Sequence, residues 1–229
     1  MAIPKGLEPT GVILVDKPAG PSSFAVLAGV RSRTRAKTGH AGTLDPFATG
    51  LLILLSGRAT GMASCFVGLP KRYLTDVDLS CRTTTGDPEG ESLEAHDVPT
   101  AESLEAALAD LRGEVELPIP TASAVKIGGE RAYKLHRQGV VVEMPLRRSQ
   151  VDALDVIAYT AGIATLDLRV SSGTYVRSIA DALGGHCVTL RRAACSGSSA
   201  AMVSPLASGR SSAGATPFLT FAFALRRYP

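Results

Sequence analysis

The amino-acid sequence predicts a mixed α+β fold in which a largely antiparallel sheet is flanked by helices. Predicted strands outnumber predicted helices, and most of them alternate apolar and polar residues, as strands do in antiparallel sheets with one solvated face. The chain has 229 residues, of which 45% are hydrophobic and 20% charged, so it can bury a sizeable core. This composition excludes a wholly disordered chain, a collagen-like fibre and a small disulfide-dense domain.

The N-terminal elements follow from apolar runs and from the residues that interrupt them. The run VILV predicts a buried strand over 11–16, which Pro18 and the pair Gly20-Pro21 end. Ser22 or Ser23 can cap the next helix, whose apolar residues continue to Val30. The segment 38–50 (TGHAGTLDPFATG) is rich in glycine and contains a proline, so it predicts a loop with an unusual backbone path.

Hydrophobic periodicity predicts the remaining elements. Thr100 is a suitable cap for a helix over 101–112, and Gly113 ends it. The pair Gly128-Gly129 predicts a tight turn before a short basic helix. The predicted strands after residue 50 are 51–55, 73–80, 151–158 and 164–170; the later helices are 101–112, 131–138 and 178–183, and a turn is predicted at 87–90.

Charge is unevenly distributed along the chain. Residues 1–75 carry a balance of +6, residues 76–119 one of −10 and residues 120–229 one of +7, which gives the net charge of +3. Any single basic cluster is explained by a solvated helix face, but five of them favour a positive surface that binds a nucleic acid. The clusters are Arg31, Arg33, Arg35 and Lys37; Lys71 and Arg72; Arg131, Lys134 and Arg137; Arg147 and Arg148; and Arg191 and Arg192.

Several classes of protein and site are not expected. The four cysteines form no CxxC pair and the four histidines no HxxxH or HExxH spacing, so we expect reduced, mostly buried thiols and no metal site. The apolar runs are far shorter than the roughly 20 residues of a membrane helix, and residues 1–10 lack a signal-peptide core. We therefore expect an intracellular protein. Glycine motifs for dinucleotides or nucleotide phosphates are also missing.

Ordered sequence blocks identify a family. Seven blocks, spread over residues 10–192, occur in the order and near the spacing of the TruB family of bacterial tRNA pseudouridine synthases, which this chain resembles. The resemblance implies the pseudouridine synthase fold and the isomerisation of one uridine in the T-arm of tRNA, with no cofactor. The blocks are GVILVDKPAGPSS (11–23), GHAGTLDPFATGLL (39–52), KRYLTDVDL (71–79), TTGDPEG (84–90), SAVKIGGERAYKLHRQG (123–139), SSGTYVRSIADALG (171–184) and LRR (190–192).

The resemblance also assigns catalytic roles. Asp45 matches the family's catalytic aspartate, which attacks the ribose C1′ or abstracts the C2′ proton; the residues alone do not choose between these routes. Arg177 matches its guanidinium partner, which would favour the ionised carboxylate against the effect of burial.

Four further residues match the family's substrate-binding positions. Tyr73 matches the tyrosine that stacks on the flipped uracil, and Tyr175 the second tyrosine of the pocket. Leu190 matches a contact in the pocket, and His40 the histidine that takes the place of the target base in the RNA loop.

Three departures from the family pattern accompany these matches. Gly61 stands where the family has a lysine, for which Lys71 or Arg58 could substitute, and the stretch between Ala182 and Leu190 is short. We expect a catalytic domain over 10–192, followed over 193–229 by an atypical Ser/Ala/Gly-rich tail in place of the RNA-binding extension. The tail is either a flexible end or the product of a shifted reading frame. The predicted protein is a cytoplasmic monomer that binds tRNA; the alternatives are a non-catalytic tRNA-binding or tRNA-folding protein and a synthase for another RNA.

Overall fold

The computed structural model describes residues 9–195, which divide into two compact units. The first unit comprises residues 9–71 and 191–195, and the second comprises Arg72–Leu190. The strands are β1 Gly11–Lys17, β2 Thr38–His40, β3 Thr49–Ser56, β4 Lys71–Asp78, β5 Cys81–Thr83, β6 Ser92–Ala95, β7 Gly113–Pro118, β8 Lys126–Ile127, β9 Glu130–Arg131, β10 Leu146–Thr160, β11 Ile163–Val170 and β12 His186–Cys195. The helices are α1 Ser23–Thr34, α2 Ala63–Val67, α3 Ala101–Asp110, α4 Ala132–Arg137 and α5 Val176–Ala182, with a 3₁₀ helix over Gly57–Met62.

The first unit is built on β3, which pairs with three other strands. β1 runs antiparallel to β3, from Gly11 opposite Ser56 to Lys17 opposite Gly50. β2 also pairs antiparallel with β3, whereas the end of β12 pairs with β3 in parallel. The apolar side chains of residues 52–55 are at most 4% exposed, so β3 forms the core of this unit.

Helix α1 lies in the first unit and begins at a side-chain cap. The Ser22 hydroxyl oxygen accepts a hydrogen bond from the Ala25 N–H at 3.1 Å, which satisfies one of the free donors of the first turn. Leu27 and Val30 are buried, while the arginines of the last turn are exposed. The helix confirms the predicted cap and continues four residues beyond Val30.

The second unit contains a sheet in which neighbouring strands follow the order β12, β4, β11, β10, β7. β10 pairs antiparallel with both β11 and β7, and two irregularities in its register with β11 interrupt an otherwise continuous ladder. Leu154, Leu166 and Leu168 are fully buried on these strands. Helix α3 packs against β10 and buries Leu104 and Leu108. Two short hairpins, β5–β6 and β8–β9, complete the unit.

The predicted fold class is confirmed, since the structure is mixed, with a largely antiparallel sheet and helices. β10 extends seven residues beyond the two ends predicted for it, and β12 was not predicted at all. The four cysteines are free, but only Cys187 is buried, so the expectation of mostly buried thiols is wrong. No helix of the described residues is long and apolar enough to cross a membrane. The predicted tail lies outside the described residues from residue 196 onward and stays a prediction.

Candidate active site

The loop between β2 and β3 carries Asp45, and hydrogen bonds to its carbonyl groups define its path. The Asp45 carbonyl accepts from the Ala48 N–H at 3.2 Å, which closes a tight turn around Pro46. The Pro46 carbonyl accepts from the Gly20 N–H at 2.9 Å. Asp45 itself is half-buried. The structure thus places the predicted catalytic carboxylate on an ordered loop of the first unit, which we call the Asp45 loop (residues 42–48).

Lys17, at the end of β1, stabilises the C-terminal half of the Asp45 loop. Its ammonium group is buried, with 1% of the residue exposed, and donates to the carbonyls of Ala48 at 2.7 Å, Pro46 at 3.0 Å and Pro18 at 2.9 Å. Burial lowers the pKa of Lys17, and the nearby negative charge of Asp45 opposes this shift. The same attraction favours the ionised form of the carboxylate.

Ser23, the first residue of α1, stabilises the middle of the loop. Its hydroxyl group donates to the Leu44 carbonyl at 2.8 Å and accepts from the Leu44 N–H at 2.8 Å. Ser23 is 1% exposed and Leu44 3% exposed, so both backbone groups would be unsatisfied without this side chain. The sequence pattern predicts only a possible helix cap at Ser23, because its contact with Leu44 depends on tertiary packing.

Two of the predicted basic surface clusters contain buried cations. Lys71 is 5% exposed and donates to the carbonyls of Val67 at 2.8 Å and Leu69 at 2.5 Å. Arg192 is 1% exposed and also donates to backbone carbonyls. Neither residue can form part of a surface for RNA phosphates, so the expectation is wrong for both, and Lys71 cannot substitute for the lysine missing at position 61. Arg58, the other substitute considered, is exposed.

The remaining basic clusters lie mostly at the surface. Arg31, Arg33, Arg35 and Lys37 are exposed, as are Arg131, Lys134 and Arg137. Arg148 is exposed too and forms a loose ion pair with Glu114. Among residues 9–195, no three carboxylate, imidazole or thiol groups lie close enough together to hold a metal ion.

His40 lies on β2, directly before the Asp45 loop. It is half-buried, and its Nδ1 atom is buried with no hydrogen-bond partner among the described residues. Burial lowers the pKa of His40, and the positive charge of Arg192 lowers it further. The imidazole is therefore neutral at pH 7.

The lowered pKa of His40 predicts an acid-sensitive contribution to stability. Below about pH 6.5 the unfolded state binds a proton at this residue while the folded state does not, so stability falls as the pH decreases. Between pH 7.5 and pH 5.5, we expect the unfolding temperature of the His40→Gln variant to decrease less than that of the wild type. Calorimetry at both pH values measures this, and 1 kcal/mol corresponds to about 2–4 °C for a chain of this size. Equal losses in the two proteins would contradict the prediction.

Arg177 lies in α5 of the second unit and is almost completely buried, at 3% exposure. One terminal nitrogen donates to the Thr85 carbonyl at 2.9 Å and to a carboxylate oxygen of Asp87 at 3.0 Å. The other donates to the Ala122 carbonyl at 3.0 Å. Gly86 has φ +72°, and a Cβ there would lie 3.3 Å from the Arg177 Cβ, so glycine permits this close approach.

Asp87 is a functional candidate that the sequence analysis missed. It was predicted only as a turn residue, yet its carboxylate is buried and binds Arg177 through one oxygen. The other oxygen accepts from the Thr85 hydroxyl at 2.6 Å and from the Glu89 N–H at 3.1 Å. The turn therefore presents a carboxylate that holds the guanidinium. The sequence does carry a signal for Asp87, because its block TTGDPEG is one of the seven blocks that match the family.

The second unit also holds the other three candidates. Tyr73 lies on β4 and is 7% exposed; Leu190 lies on the neighbouring strand β12 and is 6% exposed. Tyr175 is half-buried and immediately precedes α5, two residues from Arg177. The short connection after Ala182 is a three-residue turn closed by a Gly185 N–H bond to the Ala180 carbonyl, which leads directly into β12. The six predicted residues are thus divided, with His40 and Asp45 in the first unit and the others in the second.

The second unit contains a cavity of about 180 Å³ beside this arginine. Threonines of the turn before Asp87 and the segment Pro118–Thr121 line it, together with Arg177, Ser178 and Asp181 of α5. Ser178 is held by a hydrogen bond from its hydroxyl group to the Pro118 carbonyl at 2.6 Å. The guanidinium-bearing residue Arg177 is thus part of the cavity wall.

Residues 31–176 match the family described as TruB family pseudouridylate synthase (N terminal domain). The chain is 45% identical over 177 residues to tRNA pseudouridine synthase B of Marinomonas sp. (strain MWYL1), covering 76% of this chain and 58% of that protein. It is 41% identical over 200 residues to the protein of the same name from Mycolicibacterium paratuberculosis, covering 81% and 68%. The chain thus spans about three fifths of the length of the first of these relatives.

The fold of this chain is also similar to that of two solved structures. The crystal structure of a Cbf5-Nop10-Gar1 complex matches with a TM-score of 0.61 and 28% identity, over 81% of this chain and 48% of that chain. An H/ACA RNP bound to a substrate RNA containing 2′-deoxyuridine matches with a TM-score of 0.59 and 25% identity, over 82% and 48%.

Proposed function

Because this chain belongs to the TruB family of pseudouridylate synthases, we propose that it converts a uridine in the T-arm of tRNA to pseudouridine. The observation that carries the proposal is the Asp45 loop, which presents one half-buried carboxylate while buried polar side chains take up the backbone carbonyls around it. The names of the relatives specify tRNA, and the T-arm follows from the resemblance of the sequence blocks.

The reaction requires a carboxylate and a closed pocket. The C1′–N1 bond breaks, the uracil turns, a C1′–C5 bond forms, and the proton lost at C5 is balanced by one gained at N1. No atom is gained or lost overall, so no external reactant is consumed. Asp45 acts either as a nucleophile at C1′ or as a base at C2′, and both roles need the ionised form.

Each remaining candidate has a proposed role in this reaction. Arg177, oriented by Asp87, takes the role of guanidinium partner that the resemblance of the sequence blocks assigns to it. Tyr73 and Tyr175 provide ring surfaces that replace the stacking lost by the flipped base. Leu190 packs in the same pocket, and neutral His40 fills the position that the base leaves. The protein would act as a cytoplasmic monomer on its tRNA substrate.

The proposal is tested with the full chain and an unmodified tRNA transcript, by site-resolved detection of pseudouridine. We expect conversion at a single T-arm uridine, and none in a matched transcript that carries cytidine at that position. Conversion only at other positions would reassign the substrate. Binding of the transcript in a gel-shift assay without any conversion would favour the alternative, a non-catalytic tRNA-binding protein.

A further inference from the structure

We propose that Arg192 is a positioning residue that orients Asp45 through the backbone of the Asp45 loop. This inference rests on the proposed function. Sequence patterning assigned Arg192 to a basic RNA-binding surface, but the residue is 1% exposed. Its side chain points into the first unit and contacts the loop before the catalytic carboxylate.

The guanidinium group of Arg192 links the loop to β3. Its Nε donates to the Leu51 carbonyl of β3 at 2.7 Å. Its two terminal nitrogens donate to the carbonyls of Gly42 at 3.0 Å and Thr43 at 3.4 Å. Three acceptors on two segments are thus held by one planar group with a fixed geometry, which a lysine ammonium cannot reproduce.

The charge of Arg192 has no carboxylate partner among the described residues, since all of its hydrogen bonds go to carbonyls. Burying a cation in this way is costly, and the cost is offset by charge-assisted hydrogen bonds, which are stronger than neutral ones. An apolar side chain would fill the same space without that cost. The guanidinium is therefore best explained by the carbonyl groups that it holds.

The backbone of Arg192 is itself fixed. It pairs with Gly50 where β12 runs parallel to β3. Gly50 has φ +96°, and a Cβ there would lie 2.4 Å from the Arg192 carbonyl oxygen, so the two strands approach as closely as only glycine permits. Because its backbone is fixed in this way, the Arg192 side chain can hold the loop in one position.

The preceding residue shows the contrast. Arg191 is about one-third exposed and forms a two-point ion pair with Asp16, at 3.0 Å for each nitrogen–oxygen contact. It points to the other side of β12, and its side-chain hydrogen bonds go to Asp16 rather than to the loop. Arg191→Lys is therefore a matched control for the effect of Arg192→Lys on the loop backbone, with the same change of side chain one position away.

The loop would be only partly released by loss of the Arg192 guanidinium. Ser23 still holds Leu44, and Lys17 and the Gly20 N–H still hold the Pro46 carbonyl, so these attachments of the loop remain. We expect a shift of the Asp45 carboxylate rather than unfolding. A misplacement of about 1 Å can reduce a reaction rate on the order of 100-fold.

The experiment compares the wild-type chain, Arg192→Lys, Arg192→Ala and the control Arg112→Lys on the tRNA transcript. The proposal predicts that Arg192→Lys reduces the single-turnover rate on the order of 100-fold while the Kd for tRNA is unchanged. Arg112→Lys changes an arginine that lies in the second unit, donates to the Leu154 carbonyl and belongs to none of the basic clusters, and it keeps the wild-type rate. Added methylguanidinium raises the rate of Arg192→Ala, whereas tetramethylammonium does not, a rescue that a purely structural role would not produce.

A second measurement needs no activity. Hydrogen exchange of the peptide 39–52 reports the protection of the Leu44 and Ala48 amides, which are hydrogen-bonded in the loop. The proposal predicts faster exchange in Arg192→Lys than in Arg191→Lys. An inactive wild type with this difference in exchange would overturn the proposed function but keep the positioning role.

Three results would overturn the inference itself. An active wild type with an equally active Arg192→Lys variant shows that the guanidinium is dispensable. A weakened Kd with an unchanged single-turnover rate assigns Arg192 to RNA binding. Loss of folding in both Arg192 variants, seen by circular dichroism, assigns it to stability alone.

Discussion

Replacement of Asp45 by alanine is expected to abolish pseudouridine formation while tRNA binding persists. Removal of a nucleophile or base lowers the rate by at least about 10³-fold in enzymes where one group carries the chemistry. Binding persists because the exposed cations at the end of α1 and on α4 are untouched. Single-turnover conversion and a filter-binding Kd, measured on the same transcript, separate the two effects.

Two variants make the Asp45 result specific. Asp45→Asn keeps the shape and removes the charge, so it should be as inactive as Asp45→Ala. Asp16→Ala removes a carboxylate from the same unit, one that is about two-fifths exposed and pairs with Arg191, and it should retain wild-type turnover. Substantial conversion by Asp45→Asn would remove this carboxylate from the mechanism.

The sequence predicts the candidate catalytic residue of the Asp45 loop, but it does not predict the side chains that hold the loop in place. The block GHAGTLDPFATGLL predicts a catalytic role for Asp45 because a short stretch of sequence is enough to match the family pattern. The groups that hold the loop come from distant positions: Lys17 lies 29 residues before Pro46, and Arg192 lies 150 residues after Gly42. Such contacts depend on tertiary packing, which local patterns do not encode.

Basic residues were the least predictable part of the site. A lysine or arginine in a cluster is usually exposed, so Lys71 and Arg192 were counted towards an RNA-binding surface. Strand alternation turns both inward, on β4 and β12, where backbone carbonyls accept their hydrogen bonds. β12 was missed because the charged pair Arg191-Arg192 obscures the alternation. Helices with a capping residue in the sequence, such as α1 and α3, are predicted well because the cap marks where the helix begins.

The second large effect is expected for Asp87→Asn, which breaks the buried ion pair with Arg177. The two side chains are 7% and 3% exposed and lie 3.0 Å apart, so the substitution removes the buried carboxylate that pairs with the guanidinium. Removal of one partner of a buried pair costs about 3–5 kcal/mol, and we expect a loss of this size in the free energy of unfolding measured with urea.

The reaction rate of the Asp87→Asn variant shows whether Asp87 orients Arg177 in addition to stabilising the fold. An asparagine can still accept the hydrogen bond from the Thr85 hydroxyl, but it carries no charge, so the guanidinium loses its ion pair. Under conditions where the variant is fully folded, we expect a slower single-turnover rate with an unchanged Kd for tRNA. Glu114→Gln, which breaks an exposed pair with Arg148 at 63% and 72% exposure, should change stability by no more than about 1 kcal/mol and leave the rate intact. A folded Asp87→Asn variant with wild-type turnover would show that the Asp87 carboxylate is not needed to orient Arg177, whose guanidinium also donates to the Thr85 and Ala122 carbonyls.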